Sequence, residues 1–595
     1  MKDVLDYPFD FREILMAKRE LRKKFSSHDS YLEKKVAILG GSTTAEVRDL
    51  LDLFLLQKGI KASFYESSYN RYYEEAVFDS AELDQFNPDL VFIHTSVRNL
   101  FAAPQVGDSK EAIDGLVSDV LDHFSTVWDR LTEKFNCTII QNNFELPAFR
   151  SLGNIDGVDG RGLTTFVGKL NDAFADKATE RQSLIINDIH YLSAQIGLDR
   201  WHDTQMWHAY KYALSHEGMP YLANQVAGIA SAAFGKSNKC LVLDLDNTLW
   251  GGVIGDDGVD GIRIGSEGTE AAAYLEFQKY ILALKERGII LAVCSKNEHE
   301  NALEGLNHPD CLLKPDDFAV IQANWEPKAG NIEAIAETIN IGKDSLVFVD
   351  DNPVERKAVR EWVPEVTVVE PDGDIASYIR CLDRMQLFET VGVASEDLAR
   401  SQYYVENAKR AQVKKSFSDY GDFLDSLEMT MQVSGFEGQY QERITQLTNK
   451  TNQFNLTTKR CSSAEVAEME NDANTISLCA RLTDKFGDNG IISVMVGSIE
   501  DAVCSIDLWL MSCRVFKREA EYAMFDVFVE HALRHGVKEL RGTYKRTPKN
   551  DIVSKLYEEL GFECEQSEEN DESRWTMVIG PDYKPMNKHI KVEQI

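Results

Sequence analysis

Asp244 directly follows the apolar run LVL at 241–243, and a second acidic residue, Asp246, lies two residues further on. A short apolar run of this kind predicts a buried strand, and ligands bind at the carboxyl ends of the strands in an open α/β sheet. Two carboxylates held close together repel each other unless a cation or a shared proton relieves them. The pair therefore predicts a functional site.

A calcium loop and a solvated acidic turn are alternative interpretations of the same two residues. A calcium-binding EF-hand loop carries Gly at its sixth position and a carboxylate at its twelfth. Counted from Asp244, these positions hold Leu249 and Gly255, so the spacing disfavours calcium. The acidic turn becomes less favoured once the motifs downstream are considered.

Three further motifs follow in the same segment. Ser295 ends IILAVCS, Lys328 lies in NWEPKAGNI, and the acidic pair Asp350 and Asp351 lies in VFVDDNPVER. With DLDNT at 244–248, their order on predicted strand ends resembles the haloacid dehalogenase-like (HAD) superfamily of phosphotransferases. Each motif is weak alone, but four in this order form a specific pattern.

The resemblance implies a role for each of these side chains. Asp244 would be the nucleophile and take the phosphoryl group as an aspartyl-phosphate, which divides one difficult displacement into two easier ones. Asp246 would protonate the leaving group and later deprotonate water or another acceptor. Ser295 would hydrogen-bond the phosphoryl group, and Lys328 would neutralise its charge and that of the nucleophile.

Mg²⁺ is the cofactor that the resemblance implies, because a hard cation prefers oxygen ligands. It would be bound by Asp244, by the backbone carbonyl of Asp246 and by Asp350. Asp351 would be an alternate ligand or would support the ligands from behind.

Several stretches of this segment resemble more closely the FkbH-like branch of the superfamily: WGGVIGDDG, QKYILALKERG, CSKN and FVDDNPVER. Characterised members take a glyceryl unit from 1,3-bisphosphoglycerate, release the phosphate and load the acyl group onto the thiol of an acyl carrier protein. The resemblance implies a phosphorylated small molecule or a carrier-tethered substrate, with an acyl carrier protein as a candidate partner.

The spacing of the motifs bears on what covers the site. Between Asp244 and Ser295, and between Ser295 and Lys328, the chain has room for little more than the core helices, so we expect no large cap. Cys294 could be an acyl-accepting thiol. Because neighbouring side chains of a strand point to opposite faces, we expect a core cysteine that faces away from Ser295.

Length, charge and cysteine usage bound the remaining possibilities. A chain of 595 residues exceeds what one hydrophobic core supports, so we expect three domains. The net charge of −33 repels nucleic acid and anionic lipid surfaces. No apolar run approaches the roughly 18–20 residues of a membrane span, and the ten cysteines are scattered singly. These features predict a cytoplasmic protein without membrane insertion.

The pattern of apolar runs and helical stretches predicts the domain organisation. In the first two segments, short apolar runs alternate with amphipathic helices, which indicates parallel sheets with helices on both faces. In the last segment several strands follow one another, which indicates an α+β domain with an antiparallel sheet. The predicted pieces are an N-terminal domain at 1–235, a HAD domain at 236–385, a helical connector at 386–430 and a C-terminal domain at 431–595.

The first segment contains VAILGGSTTAEV at 36–47, which resembles the first block of SGNH-type esterases, with Ser42 at the nucleophile position. The family's GDS reads GGS here, and its DxxH aligns with Asp203 to Met206, which leaves no histidine in place. Three nearby histidines could substitute as the base: His202, His208 and His216. The segment predicts an SGNH-like or flavodoxin-like domain without hydrolase activity.

The last segment contains DIVSKLYEELGFE at 551–563, preceded by Asn550, and this stretch resembles the last strand–helix unit of GNAT acyltransferases. Tyr557 takes the position where a general acid often lies. TNKTNQFNLTTKR at 448–460 and FGDNG at 486–490 match the FkbH-associated version of this domain. They predict a retained surface or pocket.

The loop that would bind CoA is altered. GNAT proteins use R/Q-x-x-G-x-G/A to bring bare backbone amides to the pyrophosphate, but the segment from Arg514 to Glu519 lacks both glycines. Arg514, Asn550 and Tyr557 are the residues that the resemblance would place on CoA. Glu519 would set negative charge against the pyrophosphate, which argues against acetyl-CoA or another acyl-CoA, although Lys517 and Arg518 could offset part of it.

The sequence therefore favours a three-domain enzyme whose central HAD domain is a Mg²⁺-dependent phosphatase or phosphotransferase of a biosynthetic pathway. Glyceryl transfer from 1,3-bisphosphoglycerate to an acyl carrier protein is the alternative within the same chemistry. An acyltransferase of polysaccharide or polyketide assembly and a non-catalytic scaffold are the alternatives from other classes.

Overall fold

The chain forms two compact units, which are described separately. One unit contains residues 1–237 and 380–391, and the other contains 238–379 and 392–595. The computed structural model describes residues 4–25, 31–135, 137–371, 373–392, 406–407, 410, 413–414, 417, 419–451, 453–512, 515–547, 550–567 and 572–595. Among these residues, none of the helices has the length and hydropathy needed to cross a membrane.

The first unit is built on a five-stranded parallel sheet with the order β2-β1-β3-β4-β5. Its strands are β1 (Leu32–Gly40), β2 (Ile60–Glu66), β3 (Leu90–His94), β4 (Thr138–Asn142) and β5 (Leu184–Asn187). Its helices are α1 (Phe11–Phe25), α2 (Ala45–Gln57), α3 (Tyr72–Val77), α4 (Ala81–Phe86), α5 (Lys110–Phe135), α6 (Leu163–Glu180), α7 (Ile189–Ile196), α8 (Leu198–Trp201), α9 (Thr204–Tyr210) and α10 (Met219–Ala233). The predicted parallel sheet is confirmed, and the strand order is that of flavodoxin-like folds.

The second unit contains a five-stranded parallel sheet with the order β10-β9-β6-β7-β8. Its strands are β6 (Cys240–Leu243), β7 (Ile290–Ser295), β8 (Val320–Ala323), β9 (Leu346–Val349) and β10 (Thr367–Val368). Its helices are α11 (Ile254–Asp257), α12 (Thr269–Glu286), α13 (His299–Leu306), α14 (Lys328–Ile339) and α15 (Pro353–Trp362). Helix α16 (Tyr378–Arg384) begins in this unit, and its residues from 380 onward group with the first unit. Every residue of β6, β7 and β9 is buried, as expected for parallel strands covered on both faces.

The same unit carries an eight-stranded sheet with the order β16-β17-β15-β14-β13-β12-β11-β18. Its strands are β11 (Met429–Gly435), β12 (Thr475–Asp484), β13 (Gly487–Glu500), β14 (Val503–Met511), β15 (Glu539–Lys545), β16 (Glu563–Ser567), β17 (Glu572–Val578) and β18 (Ile590–Gln594). Its helices are α17 (Tyr420–Ser426), α18 (Gln441–Lys450), α19 (Ser463–Asn471), α20 (Ala520–Arg534) and α21 (Leu556–Glu559). The predicted antiparallel sheet needs one correction: β14 pairs with β15, and β11 pairs with β18, in parallel.

The segment 380–391 groups with the first unit, although it follows the second sheet in sequence. Asn224 of α10 donates to the carbonyl of Arg384 (2.9 Å), and Ser237 donates to the carbonyl of Glu389 (2.8 Å). The boundary predicted at 385 therefore falls inside a segment that packs on the first unit. Nothing in the local pattern of apolar residues signals this return of the chain.

Candidate active site

The register of the central strands brings Asp244 and Asp350 to the same level of the sheet edge. Leu243 of β6 is aligned with Val349 of β9, and one carboxylate follows each of these residues. The amide of Asp244 continues the ladder by donating to the carbonyl of Val349 (3.0 Å). Both carboxylates are buried, with Asp244 6% exposed and Asp350 fully buried.

Lys328, the first residue of α14, lies between these two carboxylates. Its Nζ is 3.0 Å from Asp244 Oδ1 and donates to Asp350 Oδ2 at 2.5 Å. Burial disfavours the ammonium ion, but the two carboxylates outweigh this effect and raise the pKa of Lys328. The lysine is therefore a fixed positive charge at the sheet edge, as its predicted role requires.

Asp244, Asp350 and Asp351 form a group of three carboxylates. One oxygen of each lies within 4.8 Å of the oxygens of the other two. Burial and the neighbouring Asp244 raise the pKa of Asp350 to about 7 and raise the pKa of Asp351, although Lys328 opposes both shifts. Three oxygen donors with excess negative charge in a buried place fit a hard divalent cation such as Mg²⁺.

Hydrogen bonds from neighbouring residues fix the loop that carries Asp350 and Asp351. Arg356 is 6% exposed, and its Nη1 donates to the carbonyls of Asp350 (2.6 Å) and Asp351 (2.7 Å). The amide of Asp351 donates to Thr248 Oγ1 (3.3 Å), and the amide of Asn352 donates to Asp350 Oδ1 (2.8 Å). These bonds hold the carboxylates in place before any metal binds.

Asp246 is held by three hydrogen-bond donors. Trp250 Nε1 (2.9 Å) and the amide of Ile254 (3.1 Å) donate to Oδ1, and Asn297 Nδ2 (2.9 Å) donates to Oδ2. Burial raises the pKa of Asp246, and the three donors oppose that shift because they favour the ionised form. The orientation of the predicted acid–base group is thus determined by its neighbours.

These neighbours of Asp246 are the site residues that sequence reasoning missed. Trp250 and Ile254 belong to the WGGVIG stretch after the DLDNT motif, and Asn297 lies two residues after Ser295. Gly252 allows the chain to turn back, because its φ is +97° and a side chain there would lie 2.6 Å from an Asp257 oxygen. The sequence signal that could have found the first two is a tryptophan four residues after Asp246.

Ser295 ends β7 and is buried at the same sheet edge. Cys294 lies in the apolar core of this sheet, and its Sγ contacts the carbonyl of Lys328 (3.7 Å). The predicted core cysteine is confirmed. Between Asp244 and Lys328 the chain forms only β7, β8, helices α11–α13 and short turns, so the expected absence of a large cap is confirmed as well.

Magnesium is expected to stabilise the metal-free protein. At a concentration of Mg²⁺ about 100 times its Kd, the free energy of unfolding should rise by about 2.7 kcal/mol. This gain corresponds to a rise of the melting temperature by several degrees, which differential scanning fluorimetry measures with and without Mg²⁺.

Asp350→Asn should remove most of this shift, because it takes a charged ligand from the group of three. Asp316→Asn, which changes an exposed aspartate of the same unit, is the matched control and should keep the shift. A shift of equal size in both variants would contradict this metal site.

In the first unit, Ser42 is buried and its Oγ makes no hydrogen bond to the described residues. Asp203 accepts from the amide of Met206 (2.9 Å) and caps α9, so the stretch aligned with DxxH forms a helix N-terminus. The histidines are engaged elsewhere or exposed: His202 Nε2 bonds the carbonyl of Leu146 (2.9 Å), His216 stacks on Phe11 (4.4 Å) and His208 is exposed.

In the C-terminal sheet, the residues proposed for CoA are buried or lie outside the described residues. Asn550 is fully buried, and its amide is hydrogen-bonded on both sides. Tyr557 is buried against Gly542 of β15, and burial raises its pKa. Arg514 lies outside the described residues.

The prediction that Arg518 could offset part of the charge of Glu519 is wrong, because Arg518 is paired elsewhere. Its Nη1 is paired with the buried Asp484 (2.9 Å), and its Nη2 donates to Asn407 (2.6 Å). Arg518 is 6% exposed, so its charge is directed into the domain.

The fold and this site define a phosphatase-type domain of the HAD superfamily. Residues 35–231 match the family model described as FkbH, N-terminal domain. The chain is 32% identical to the N-terminal part of a Bacteroides fragilis protein that contains a phosphatase domain and was crystallised with Mg, with a TM-score of 0.58. This match covers 64% of the chain and 100% of the Bacteroides structure. The chain belongs to the FkbH-like family.

Other solved structures match about a quarter of the chain. The ribosomal-protein-S18-alanine N-acetyltransferase of Escherichia coli is 12% identical, with 26% of this chain and 99% of that chain covered and a TM-score of 0.20. The GNAT domain of S. lividans PAT is 14% identical, with 25% and 89% covered and a TM-score of 0.21. No curated protein matches the chain.

Proposed function

We propose that this protein is a Mg²⁺-dependent phosphatase or phosphotransferase that acts through an aspartyl-phosphate at Asp244. The observation that carries the proposal is the buried contact of Lys328 with both Asp244 and Asp350 beside Asp351. An arrangement of one cation and three carboxylates at a sheet edge is suited to an anionic substrate only when a metal supplies further positive charge.

In the proposed reaction, a carboxylate oxygen of Asp244 attacks phosphorus and the bond to the leaving oxygen breaks. Asp246 gives its proton to that oxygen. It later accepts a proton from the water that attacks phosphorus, which breaks the bond to the Asp244 oxygen and releases inorganic phosphate. Lys328 and Ser295 hold the transferred group and offset its charge. Mg²⁺, held by Asp244, Asp350 and the Asp246 carbonyl with Asp351 in support, would supply charge stabilisation at the phosphoryl oxygens.

Phosphate release from a generic monoester such as p-nitrophenyl phosphate tests this proposal. Activity should require Mg²⁺, be lost in EDTA and return when Mg²⁺ is added in excess. Brief reaction with a ³²P-labelled substrate, followed by acid quench, should label the protein in a hydroxylamine-sensitive bond, as expected for an acyl phosphate. Metal-independent turnover or a hydroxylamine-stable label would overturn the mechanism.

Glyceryl transfer from 1,3-bisphosphoglycerate to an acyl carrier protein is the second candidate. Residues 35–231 match the FkbH N-terminal domain, so the resemblance to FkbH-like proteins extends beyond the phosphatase-type domain. This wider resemblance favours the second candidate. The carrier thiol would attack the acyl carbon of 1,3-bisphosphoglycerate and displace the C1 phosphate. The phosphatase-type site would hydrolyse the C3 phosphate monoester with water, so that a glyceryl thioester and two phosphates result. Mass spectrometry of cognate carrier proteins should show a glyceryl adduct, and carriers without any mass gain would count against this candidate.

The pH dependence of the reaction should depend on Trp250 and Asn297. Removing one donor with Trp250→Phe or Asn297→Ala disfavours the ionised form of Asp246, so its pKa rises further above the ordinary value. A hydrogen bond to a charged group is worth about 1.5–3 kcal/mol, and a shift of about one pKa unit corresponds to 1.36 kcal/mol. The midpoint of kcat/KM that reports Asp246 should therefore move to higher pH by about one unit.

Trp325→Phe is the matched control for this experiment. Trp325 is 66% exposed and donates to Glu298, so its replacement should leave the pH profile unchanged. A lower rate without a shifted midpoint in Trp250→Phe would show that the indole only fills space.

A further inference from the structure

Strands β14 and β15 diverge after a short parallel pairing. Residues Val503–Ile506 of β14 pair with Glu539–Gly542 of β15. Beyond this pairing, β14 continues to Met511 and β15 continues to Lys545. Diverging strands leave backbone amides and carbonyls facing a gap, and buried groups of this kind require hydrogen-bond partners. The gap is therefore a place that either a ligand or another chain segment must fill.

Residues 454–457, here called the gap segment, occupy the part of this gap beside Asp507–Met511 of β14 and Lys545 of β15. A cavity of about 420 Å³, lined among others by Ser505 and Thr543, remains next to the segment. The segment lies within the TNKTNQFNLTTKR stretch, and Asn455 forms an antiparallel bridge with Leu510 of β14. Phe454 is 5% exposed, and Asn455 and Leu456 are fully buried. Hydrogen bonds tie it to both strands: Leu456 N to Trp509 O (3.2 Å), Met511 N to Phe454 O (3.0 Å), Thr457 Oγ1 to Asp507 O (3.1 Å) and Lys545 N to Leu456 O (2.8 Å).

Asn550 fastens the gap segment to the end of β15. Its Nδ2 donates to the carbonyls of Asn455 (3.0 Å) and Lys545 (2.8 Å), and its Oδ1 accepts from the amide of Thr547 (2.7 Å). Since the side chain is fully buried, a ligand could reach its amide only if these bonds broke. Asn550 therefore belongs to the closure of the gap.

The charged residues before α20 also disfavour the binding of a pyrophosphate. Glu519 precedes the helix with a φ of +59°, so its backbone takes a conformation that favours glycine. Its carboxylate lies 3.7 Å from His589. Arg518 is paired with Asp484, which Arg410 also contacts through Nη2 (2.7 Å). Of the described charged side chains directly before α20, Arg518 is therefore committed to the domain and Glu519 carries the wrong charge for a pyrophosphate, whereas Lys517 is exposed.

We infer that the gap segment is a permanent strand-like part of the C-terminal sheet and that this domain does not bind acyl-CoA. The pantetheine arm of CoA is an extended chain with two amides, and such a chain binds along free strand edges. Here the chain's own residues make those hydrogen bonds. An acyl group handled by this domain must then come from a donor other than CoA.

Isothermal titration calorimetry of the full-length protein with CoA and with acetyl-CoA tests the inference. Concentrations up to about 1 mM cover the range of typical KM values, and no saturable heat is expected. Hydrogen exchange of the amides of Leu456, Met511 and Lys545 should be slow without ligand and unchanged with it. Saturable binding, or exchange at these amides that changes with acetyl-CoA, would overturn the inference.

A pair of variants tests whether Asn550 closes the gap. Asn550→Ala should accelerate exchange at the three amides at least tenfold, whereas Ile552→Ala, which changes a side chain that is 60% exposed, should leave it unchanged. Unchanged exchange in Asn550→Ala would contradict the anchoring role. If Asn550→Ala does not fold, the titration of the unaltered protein decides the question alone.

Discussion

Replacing Asp244 with Asn should lower Mg²⁺-dependent phosphate release by at least about a thousandfold, because the amide cannot form the aspartyl-phosphate. The replacement preserves the shape of the side chain in its buried place between β6 and Lys328. It also removes one of two negative charges beside the lysine. The fold should therefore survive, so a loss of activity reports on chemistry. Acid-quench labelling of the variant should give no labelled protein.

Asp256→Asn is the matched control for this loss. Asp256 lies in the same acidic stretch, twelve residues from Asp244, but is exposed, so its replacement should leave activity within about twofold. Circular dichroism and thermal unfolding of both variants establish that each is folded. Residual turnover near the original rate in a folded Asp244→Asn protein would remove Asp244 from the mechanism.

The resemblance to the HAD superfamily predicted that the candidate catalytic groups meet, and the fold shows a physical reason for this. Apolar runs define buried parallel strands, and parallel strands bring their carboxyl ends to one edge. Residues that directly follow such runs, like Asp244 and Asp350, are therefore neighbours once the strand order is known. Lys328 joins them because the helix that it begins follows β8 in the same sheet.

The contacts of Asp246 could not be predicted in this way. They depend on a loop that turns back at Gly252 and brings Trp250 and Ile254 to the carboxylate, and no periodic pattern describes such a turn. Asn247 stabilises this turn, because its Oδ1 accepts a hydrogen bond from the amide of Gly252 (3.0 Å). Loop geometry of this kind depends on single φ values and local hydrogen bonds.

The C-terminal sheet shows that contacts between residues distant in sequence could not be predicted from the sequence pattern. The gap segment at 454–457 bonds strands that lie about fifty and ninety residues further along the chain. The parallel pairs of this sheet likewise join strands separated by intervening elements, β14 with β15 and β11 with β18. The amphipathic pattern of each strand is visible in the sequence, but its partner is chosen by packing.

Removing the buried charge of Lys328 should affect stability and activity together. In Lys328→Met, Asp244 and Asp350 would face each other without their shared cation, and breaking a buried ion pair typically costs about 3–5 kcal/mol. Phosphate release should fall by about a hundredfold or more, because the charge on the transferred group loses its fixed partner. Urea unfolding of the metal-free protein measures the first effect, and initial rates with Mg²⁺ measure the second.

The loss of stability in Lys328→Met should grow with pH. Without the lysine, burial and Asp244 raise the pKa of Asp350 further above its unfolded value, so the folded state binds a proton more tightly than the unfolded state. The free energy of unfolding must then fall as the pH rises from about 4 through the raised pKa. Lys296→Met, which breaks the half-exposed pair of Lys296 with Glu355, is the control and should cost less than about 1 kcal/mol at any pH. A Lys328→Met protein that loses no more stability at pH 8 than at pH 5 would show that the two carboxylates do not depend on this lysine.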